Sequence, residues 1–475
     1  MASPPPDPAS PAPACPPDPG VALGSSPGTG ADADAGARAP TREIFGWAMF
    51  DFANSSYTTV IITVVFSVIF PKIIVGDAPD YRQGNLLWSV ALSVSYGLVV
   101  LTAPLLGTLM DVRASKKRFL FASCVLTVLS TGALYWATPG RVGLAMTMLV
   151  ASNYGFAVGE SFAAAFLPDL GPKEALGRIS GYAWALGYVG GLVSTALVVF
   201  TVGPQEASNL ERLRWVGPMT ALFFFLAALP TFAFLKERGT PQALPPGERL
   251  AQVGVARLRR TARELGDFKD LLWFFAGLFF ATAGLSIVIS FAFIYGDQVV
   301  RWQPRTQLLM FVLTNLSAAG GAALFGLLQD RWGNLKTYRL TLLIWGIAVL
   351  GIHQTKTLAA TLGSALGWAW AAEDVYLLVG TLAGLCLGAT QSAGRTVVAV
   401  FAPAARAGEL FGLWGVCGKL ASIVGLLSLG LLQNALGLER AILVCGGFFL
   451  AAWALSLKVS ETRGVAAARA HQAES

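Results

Sequence analysis

The sequence predicts an all-α integral membrane protein in which twelve transmembrane helices form two bundles of six. Of its 475 residues, 55% are hydrophobic and only 13% are charged, and the apolar residues gather into long uninterrupted stretches. A helix of about 20 apolar residues crosses a hydrocarbon core of roughly 30 Å. Because lipid offers the backbone no hydrogen-bond partners, these stretches should be helices.

The predicted spans run through most of the chain and divide six and six. They are 44–70, 85–110, 117–138, 141–168, 175–200, 215–235, 270–296, 306–328, 337–355, 373–402, 407–433 and 438–457. The two predicted bundles are therefore residues 43–235 and 270–458. The connection 356–372 carries Trp368 and Trp370, and because such rings favour the membrane interface, we expect it to be interfacial and partly re-entrant.

The segments outside the spans differ in composition. Residues 1–42 are rich in Pro, Ala, Gly, Ser and Asp, so they bury too little apolar surface to offset their ordering entropy and should form a disordered tail. In the central linker, residues 236–269, apolar and basic residues between Gly247 and Gly266 predict an amphipathic helix on the inner membrane surface. A solvated linker is the alternative. Residues 459–475 are expected to be a short, mobile tail.

Lys and Arg are distributed unevenly between the two sides of the predicted membrane. Loops on the side of the N-terminus carry about twice as many as the opposite loops, and cytoplasmic loops are the ones so enriched. Both termini are therefore predicted to be cytoplasmic, and topology rather than a nucleic-acid partner explains the net charge of +7. The Ala-, Gly-, Pro- and Arg-rich composition is typical of a GC-rich bacterium, which indicates a bacterial cytoplasmic membrane.

A short motif recurs at the same place in each predicted bundle, after the second and the eighth span. Each copy reads Gly, three residues and Asp, followed by a basic loop. The residues concerned are Gly107, Asp111 and Arg113 in the first copy and Gly326, Asp330 and Arg331 in the second. Matched motifs in matched positions indicate a duplicated six-helix unit, an arrangement found in transporters with a central site.

These motifs resemble the loop signature of the major facilitator superfamily, Gly-x-x-x-Asp-Arg-x-Gly-Arg-Lys/Arg. The second copy keeps Asp330, Arg331 and Gly333, whereas the first departs at Val112 and Ala114. The resemblance implies the major facilitator fold, alternating access, and a conformational latch formed by the residues of both motifs. Simple solvation at the surface is the alternative role for the two Asp residues.

Three further segments narrow the resemblance. Residues 46–57 read Gly-Trp-Ala-Met-Phe-Asp-Phe-Ala-Asn-Ser-Ser-Tyr, residues 180–191 read Ser-Gly-Tyr-Ala-Trp-Ala-Leu-Gly-Tyr-Val-Gly-Gly, and residues 388–395 read Gly-Ala-Thr-Gln-Ser-Ala-Gly-Arg. Together they resemble the autophagy-type vacuolar amino-acid effluxer family and its bacterial relatives, over nearly all of 43–457. The family has Asn-Ala where this chain has Ala164 and another Ala. The resemblance implies secondary transport of a small solute, with amino acids as the candidate class.

Four ionisable residues lie inside the predicted spans, where each costs about 2.5–3.5 kcal/mol at a helix centre. Asp51 and Glu160 belong to the first bundle, and Arg395 and Lys419 to the second. The rise of a helix places Lys419 roughly 18 Å from the cytoplasmic helix end and the other three roughly 10–12 Å from it. Two roles stay open. The groups could bind a zwitterion across a central cavity, with Arg suited to its carboxylate, or they could pair with each other as an inner gate or structural contact.

Polar neighbours extend this candidate site. Asn54 follows Asp51 by three residues and Gln391 precedes Arg395 by four, so each pair shares one helix face. A carboxyl group in apolar surroundings takes up a proton more readily, which makes Asp51 and Glu160 candidates for proton coupling. The candidate substrate-binding or gating residues are Asp51, Asn54, Glu160, Gln391, Arg395 and Lys419.

The sequence contains no motif for catalysis, metal binding or a cofactor. Its five Cys form no paired motif, it has only two His, and it lacks a Gly-Lys-Ser/Thr phosphate loop. We therefore expect no cofactor, and as partners only a small-molecule substrate and the lipid bilayer, with the protein a monomer. The alternatives are an exporter of drugs or other metabolites, a lipid scramblase, a transport-like sensor, or an intramembrane enzyme that uses the carboxyl groups of Asp51 and Glu160.

Overall fold

The computed structural model describes residues 38–76, 82–203, 205–238, 269–366, 370–403 and 406–473, with residues 241, 252 and 256. In these ranges twelve helices are long and apolar enough to cross a membrane, as predicted. They are α1 (Thr41–Val75), α2 (Leu86–Val112), α3 (Lys116–Trp136), α4 (Val142–Asp169), α5 (Lys173–Val202), α6 (Ala207–Phe234), α7 (Lys269–Phe293), α8 (Arg305–Trp332), α9 (Asn334–His353), α10 (Ala372–Phe401), α11 (Ala407–Leu429) and α12 (Leu438–Ser456).

The packing of the helices repeats after six. Within the first half α1 packs on α5 and α6, α2 on α4, and α3 on α4; within the second half α7 packs on α11 and α12, α8 on α10, and α9 on α10. The halves meet through α2 against α11 and α5 against α8, which are equivalent contacts under the repeat. Further contacts join α5 to α10 and α4 to α11. The chain thus consists of two six-helix bundles with a pseudo-symmetric interface.

Glycines show that this interface is tight at one end and open towards the other. A Cβ atom added to Gly107 would lie 2.1 Å from the carbonyl oxygen of Gly408, and one added to Gly181 would lie 2.4 Å from a backbone oxygen of α8. Further along the same helices, a Cβ atom added to Gly97 or Gly418 would meet nothing within 4 Å. The closest backbone contacts between the bundles thus lie at the end where α2 and α8 finish, which we name the latch end, and we name the opposite end, towards which the glycines of α2 and α11 have free Cβ positions, the open end.

A clamp ties together the latch end of the first bundle. The Glu237 carboxylate accepts hydrogen bonds from the backbone N–H groups of Lys116 and Lys117 at the start of α3, at 3.0 and 2.7 Å. Arg238 donates two hydrogen bonds to Glu43 at the start of α1, at 2.5 and 2.9 Å. Burial raises the pKa of the Glu237 carboxyl, although the two N–H groups oppose the rise. The chain leaving α6 thus holds α1 and α3 in place.

The second bundle carries an equivalent clamp. The Glu461 carboxylate accepts hydrogen bonds from the backbone N–H groups of Asn334 and Leu335 at the start of α9, at 3.2 and 3.1 Å. Arg463 donates two hydrogen bonds of 2.7 Å to Asp270 at the start of α7. The chain reads Leu-Lys-Glu-Arg-Gly after α6 and Leu-Lys-Val-Ser-Glu-Thr-Arg-Gly after α12, so the clamps are a second internal repeat, one that our sequence analysis missed.

The C-terminal tail differs from the sequence-based expectation, and the connection between α9 and α10 contains a helix that was not predicted. The tail after α12 was expected to be mobile, but it forms the helix Glu461–Ala473, held by its clamp residues and by the packing of Gly464 against the ring of Phe401. Between α9 and α10 the predicted re-entrant connection contains a separate helix, Thr355–Leu366. The amphipathic helix predicted in the central linker, and most of the N-terminal tail, lie outside the described residues.

Candidate functional site

The four ionisable residues of the spans form two ion pairs, and each pair joins the two bundles. Asp51 of α1 lies 2.6 Å from Arg395 of α10, between carboxylate and guanidinium atoms. Glu160 of α4 lies 3.7 Å from the ammonium group of Lys419 in α11. Each pair neutralises charges that would be costly inside a membrane. Sequence reasoning identified the four groups but did not assign the partners.

Arg395 is enclosed and has its donors occupied. Besides the bond to Asp51, its Nε donates to the hydroxyl of Ser180 at 3.1 Å and its Nη2 donates to the Ser180 carbonyl at 3.0 Å. The guanidinium lies over the indole rings of Trp47 and Trp184, at 4.8 and 5.2 Å from their centroids. Only 3% of the side chain is exposed. We name these five residues the inner gate, because a ligand reaches Arg395 only if these contacts break.

Lys419 has looser surroundings. The exposed fraction is 17% for its side chain and 27% for that of Glu160, several times the value for Arg395. Its ammonium group also lies 5.3 Å from the ring centroid of Tyr96 in α2 and 5.8 Å from that of Phe156 in α4. We name Tyr96, Phe156 and Glu160 the ammonium cage. Its long ion-pair distance and partial exposure mark it as the more accessible of the two charged sites.

The two predicted polar neighbours have different environments. The Gln391 side-chain oxygen accepts a hydrogen bond from the hydroxyl of Tyr188, so this residue also joins α10 to α5. It lies one turn from Arg395, on the side of the open end. Asn54 is buried in α1, and among the described residues its side-chain oxygen has no hydrogen-bond partner. Gln391 thus adds a layer to the cross-bundle contacts, whereas the described residues offer the side-chain oxygen of Asn54 no such contact.

The two predicted latch aspartates bind helix N-termini across the bundle interface. The Asp111 carboxylate accepts hydrogen bonds from the backbone N–H groups of Gly408 and Glu409, both at 3.0 Å, in the first turn of α11. Asp330 accepts one from the backbone N–H of Arg178, three residues after Ala175 in the initial part of α5, at 3.1 Å, and lies 3.5 Å from its guanidinium. A carboxylate is favoured at a helix N-terminus, where the free N–H groups and the helix dipole are positive.

The other residues of the two motifs either allow two helices to approach each other closely or lie at the surface. A Cβ atom added to Gly326 would lie 2.9 Å from the Cα atom of Gly181, so α5 and α8 need glycine at their crossing, as α2 and α11 do at Gly107. Arg113 and Arg331, which were predicted to belong to the latch, have exposed side chains. The structure therefore brings the Asp and Gly residues of both motifs, but not these two Arg side chains, into the buried interface.

Sequence reasoning missed several residues of both charged sites. Ser180, Trp47 and Trp184 lie in the quoted family-like segments, but no pattern there showed that they surround an Arg. Phe156 precedes Glu160 by four residues, so helical spacing offered a signal for a shared face. Tyr96 carried no comparable signal, because its position beside Lys419 depends on the packing of α2 against α11.

Comparisons with known sequences place the chain in a family. The family model described as "Vacuole effluxer Atg22 like" matches residues 83–469. The "Uncharacterized MFS-type transporter YxiO" of Bacillus subtilis (strain 168) is 24% identical over 392 residues, which cover 81% of this chain and 87% of that protein. "Autophagy-related protein 22" of Yarrowia lipolytica is 24% identical over 311 residues, covering 60% of this chain and 51% of that protein. The chain thus matches about half the length of this fungal relative.

Solved structures agree on the fold. The human organic anion transporter MFSD10 (TETRAN) is similar with a TM-score of 0.66 at 17% identity, covering 88% of this chain and 100% of that chain. A bacterial homologue of the iron transporter ferroportin in the outward-facing state has a TM-score of 0.63 at 15% identity, covering 88% and 98%. These likenesses confirm the predicted major facilitator superfamily (MFS) fold. With the family match over most of its length, the chain belongs to the vacuole effluxer Atg22-like family and is a multi-pass MFS-type transporter rather than an enzyme.

Proposed function

We propose that the protein is a secondary transporter that moves a small solute by alternating access. The observation that carries this proposal is the location of the cross-bundle contacts described above, which lie towards the latch end, whereas Cβ atoms added to Gly97 of α2 or Gly418 of α11 would meet nothing within 4 Å. Such an arrangement suits one end state of a rocking cycle. The predicted orientation places the latch end in the cytoplasm, so this state would be outward-facing.

In the proposed cycle the inner gate and the latch open together. To expose the site at the latch end, the bundles would separate Asp51 from Arg395 and withdraw Asp111 and Asp330 from the helix N-termini that they contact. Each of these three interactions joins the first bundle to the second, so a single rocking motion would break all three together. Water entering the opened end would solvate the separated charges, which offsets part of the energetic cost of separation.

We propose an α-amino acid as the solute. Its ammonium group matches the charge of Glu160, which is more exposed than Asp51, the other acid of the two charged sites. The description of the family as vacuole effluxers supports transport across a membrane, and the resemblance of residues 46–57, 180–191 and 388–395 to amino-acid effluxers suggests this class of solute. Glu160 is also the proposed site of proton coupling, because separation of the bundles would leave its carboxylate without Lys419, and either a solute ammonium or a proton would then neutralise it.

The proposal is tested by uptake and efflux of labelled amino acids in proteoliposomes, with and without a pH gradient. We expect gradient-dependent flux of at least one amino acid, lost in Asp51→Asn and in Arg395→Gln. Glu211→Gln is the matched control, since that carboxyl group is 83% exposed and outside the site. Flux that survives both gate substitutions would refute the role of the gate. If folded protein moves no amino acid, the solute assignment fails, and drugs, other metabolites and labelled lipids are tested in the same vesicles.

A further inference from the structure

We infer that the ammonium cage is the binding site for an organic ammonium group, and that Lys419 occupies it as a built-in competitor of the solute. The inference rests on the proposed transport function and names the chemistry of its substrate, a primary amine such as that of an α-amino acid. It assigns different roles to the two basic residues of the second bundle. Arg395 closes the gate, whereas Lys419 stands in for the ligand.

The cage belongs entirely to the first bundle and is held rigid there. Its residues lie on α2 and α4, which pack against each other. On these two helices the amide of Asn153 donates to the hydroxyl of Ser95 at 2.9 Å, and the hydroxyls of Thr102 and Tyr154 are hydrogen-bonded at 2.8 Å. These contacts do not involve Lys419. The arrangement of the cage should therefore persist when the second bundle moves away.

The chemistry of the cage suits an ammonium group. Both of its rings lie within about 6 Å of the Lys419 nitrogen, the range in which a cation is attracted by an aromatic face. Glu160 supplies the counter-charge at 3.7 Å. None of the three cage residues carries a positive group that would favour a carboxylate. With Lys419 withdrawn, the first bundle presents a carboxylate between two rings, which is a receptor for a cation.

The position of Lys419 allows exchange with a solute. The helix beside it is not tightly packed, because a Cβ atom added to the adjacent Gly418 would meet nothing within 4 Å. Glu160 and Lys419 are both partly exposed, so a small molecule entering from the open end can reach them. Since Lys419 and a solute ammonium need the same space, each excludes the other. The measured affinity for the solute is then reduced by the fraction of time that Lys419 fills the cage.

The experiment measures binding to the full-length protein in lipid nanodiscs by titration calorimetry. The probes are leucine methyl ester, which has the ammonium group without the carboxylate, and 4-methylpentanoate, which has the carboxylate without the ammonium group. We expect Lys419→Ala to bind the ester about tenfold more tightly than the unsubstituted protein does, because the competitor is gone. Glu160→Gln should lose ester binding. The control is Lys458→Ala, which removes a Lys that lies over the ring of Trp273, away from the cage.

The opposite pattern would overturn the inference. If Lys419→Ala binds the ester more weakly than the unsubstituted protein, or equally tightly, Lys419 is not a competitor for the cage. If the unsubstituted protein prefers 4-methylpentanoate and Lys419→Ala abolishes that binding, Lys419 is a carboxylate receptor. Should Lys419→Ala fail to fold, Lys419→Gln removes the charge, keeps most of the length of the side chain and allows the same measurement. Leucine flux in liposomes without tighter ester binding would refute the cage alone, whereas tighter ester binding without flux of any amino acid would refute the proposed transport alone.

Discussion

At the scale of single residues, the geometry of Arg and Lys explains why the two basic groups have different surroundings. The guanidinium of Arg395 is planar, so it donates in several fixed directions while its faces rest on two indole rings. Such a group closes an interface firmly. The ammonium of Lys419 is a compact charge on a flexible chain, and it contacts Glu160 through a single long ion pair. In the proposed cycle it is therefore the group that we expect a solute to displace.

The ion pair of Asp51 with Arg395 should contribute to the thermal stability of the protein. Asp51→Asn leaves the guanidinium of Arg395 buried without a counter-charge, and removal of one partner from a buried ion pair costs about 3–5 kcal/mol. We expect Asp51→Asn and Arg395→Gln each to lower the thermal unfolding temperature of the detergent-solubilised protein. The double variant should lose less than the sum of the two, because the second substitution removes the charge that the first leaves unpaired. Strictly additive losses would show that the two side chains do not interact.

At the scale of elements, glycines at the latch end allow the helices of the two bundles to approach each other closely. Crossings that need backbone atoms in contact accept no Cβ atom, as at Gly107 against Gly408. Small residues allow such close approach between helices in a membrane. Each crossing also places an Asp against the first turn of the partner helix, so packing and electrostatics act at the same point. The crossings can therefore separate as units.

This arrangement predicts that Gly107→Ala opens the latch end. The added Cβ would lie 2.1 Å from a backbone oxygen that no rotamer change can move. We expect an engineered cysteine, Ser392→Cys, which replaces a fully buried residue of α10, to become more reactive towards a water-soluble alkylating reagent in the Gly107→Ala protein. Gly97→Ala is the matched control on the same helix, because its Cβ would meet nothing within 4 Å. Equal reactivity in the two proteins would contradict this view of the interface.

At the scale of the whole molecule, the polar contacts are of two kinds, those within one bundle and those between the two bundles. The clamps at Glu237 and Glu461 join helices of one bundle to each other, so they favour movement of each bundle as a rigid body. The inner gate, the latch contacts and the ion pair of Glu160 with Lys419 join one bundle to the other. A rocking motion breaks the second kind and leaves the first intact. The clamps and the latch contacts of Asp111 and Asp330 recur in both halves, as expected for a duplicated six-helix unit.

The sequence predicted the helices and the charged residues of this molecule, but not which residues contact each other. Hydrophobic length located the twelve helices, and the repeated motif located Asp111 and Asp330, because both signals are local. The cost of charge in lipid singled out Asp51, Glu160, Arg395 and the Lys of α11. Which acid meets which base depends on how distant helices pack, so the pairing was not predictable. The tail helix was missed for the same reason, since its order comes from tertiary contacts rather than from its own composition.

The central claim is that the cross-bundle contacts hold the latch end closed, and distance measurements between spin labels test it most directly. In a cysteine-free background, Arg118 and Lys336 are exposed positions at the latch ends of α3 and α9, and Trp136 and Leu350 are exposed positions at the open ends of the same helices. With Arg395→Gln we predict a longer distance for the first pair and a shorter one for the second, because the closed state loses stability relative to the alternative. Unchanged distances, or changes of the same sign at both ends, would contradict the account.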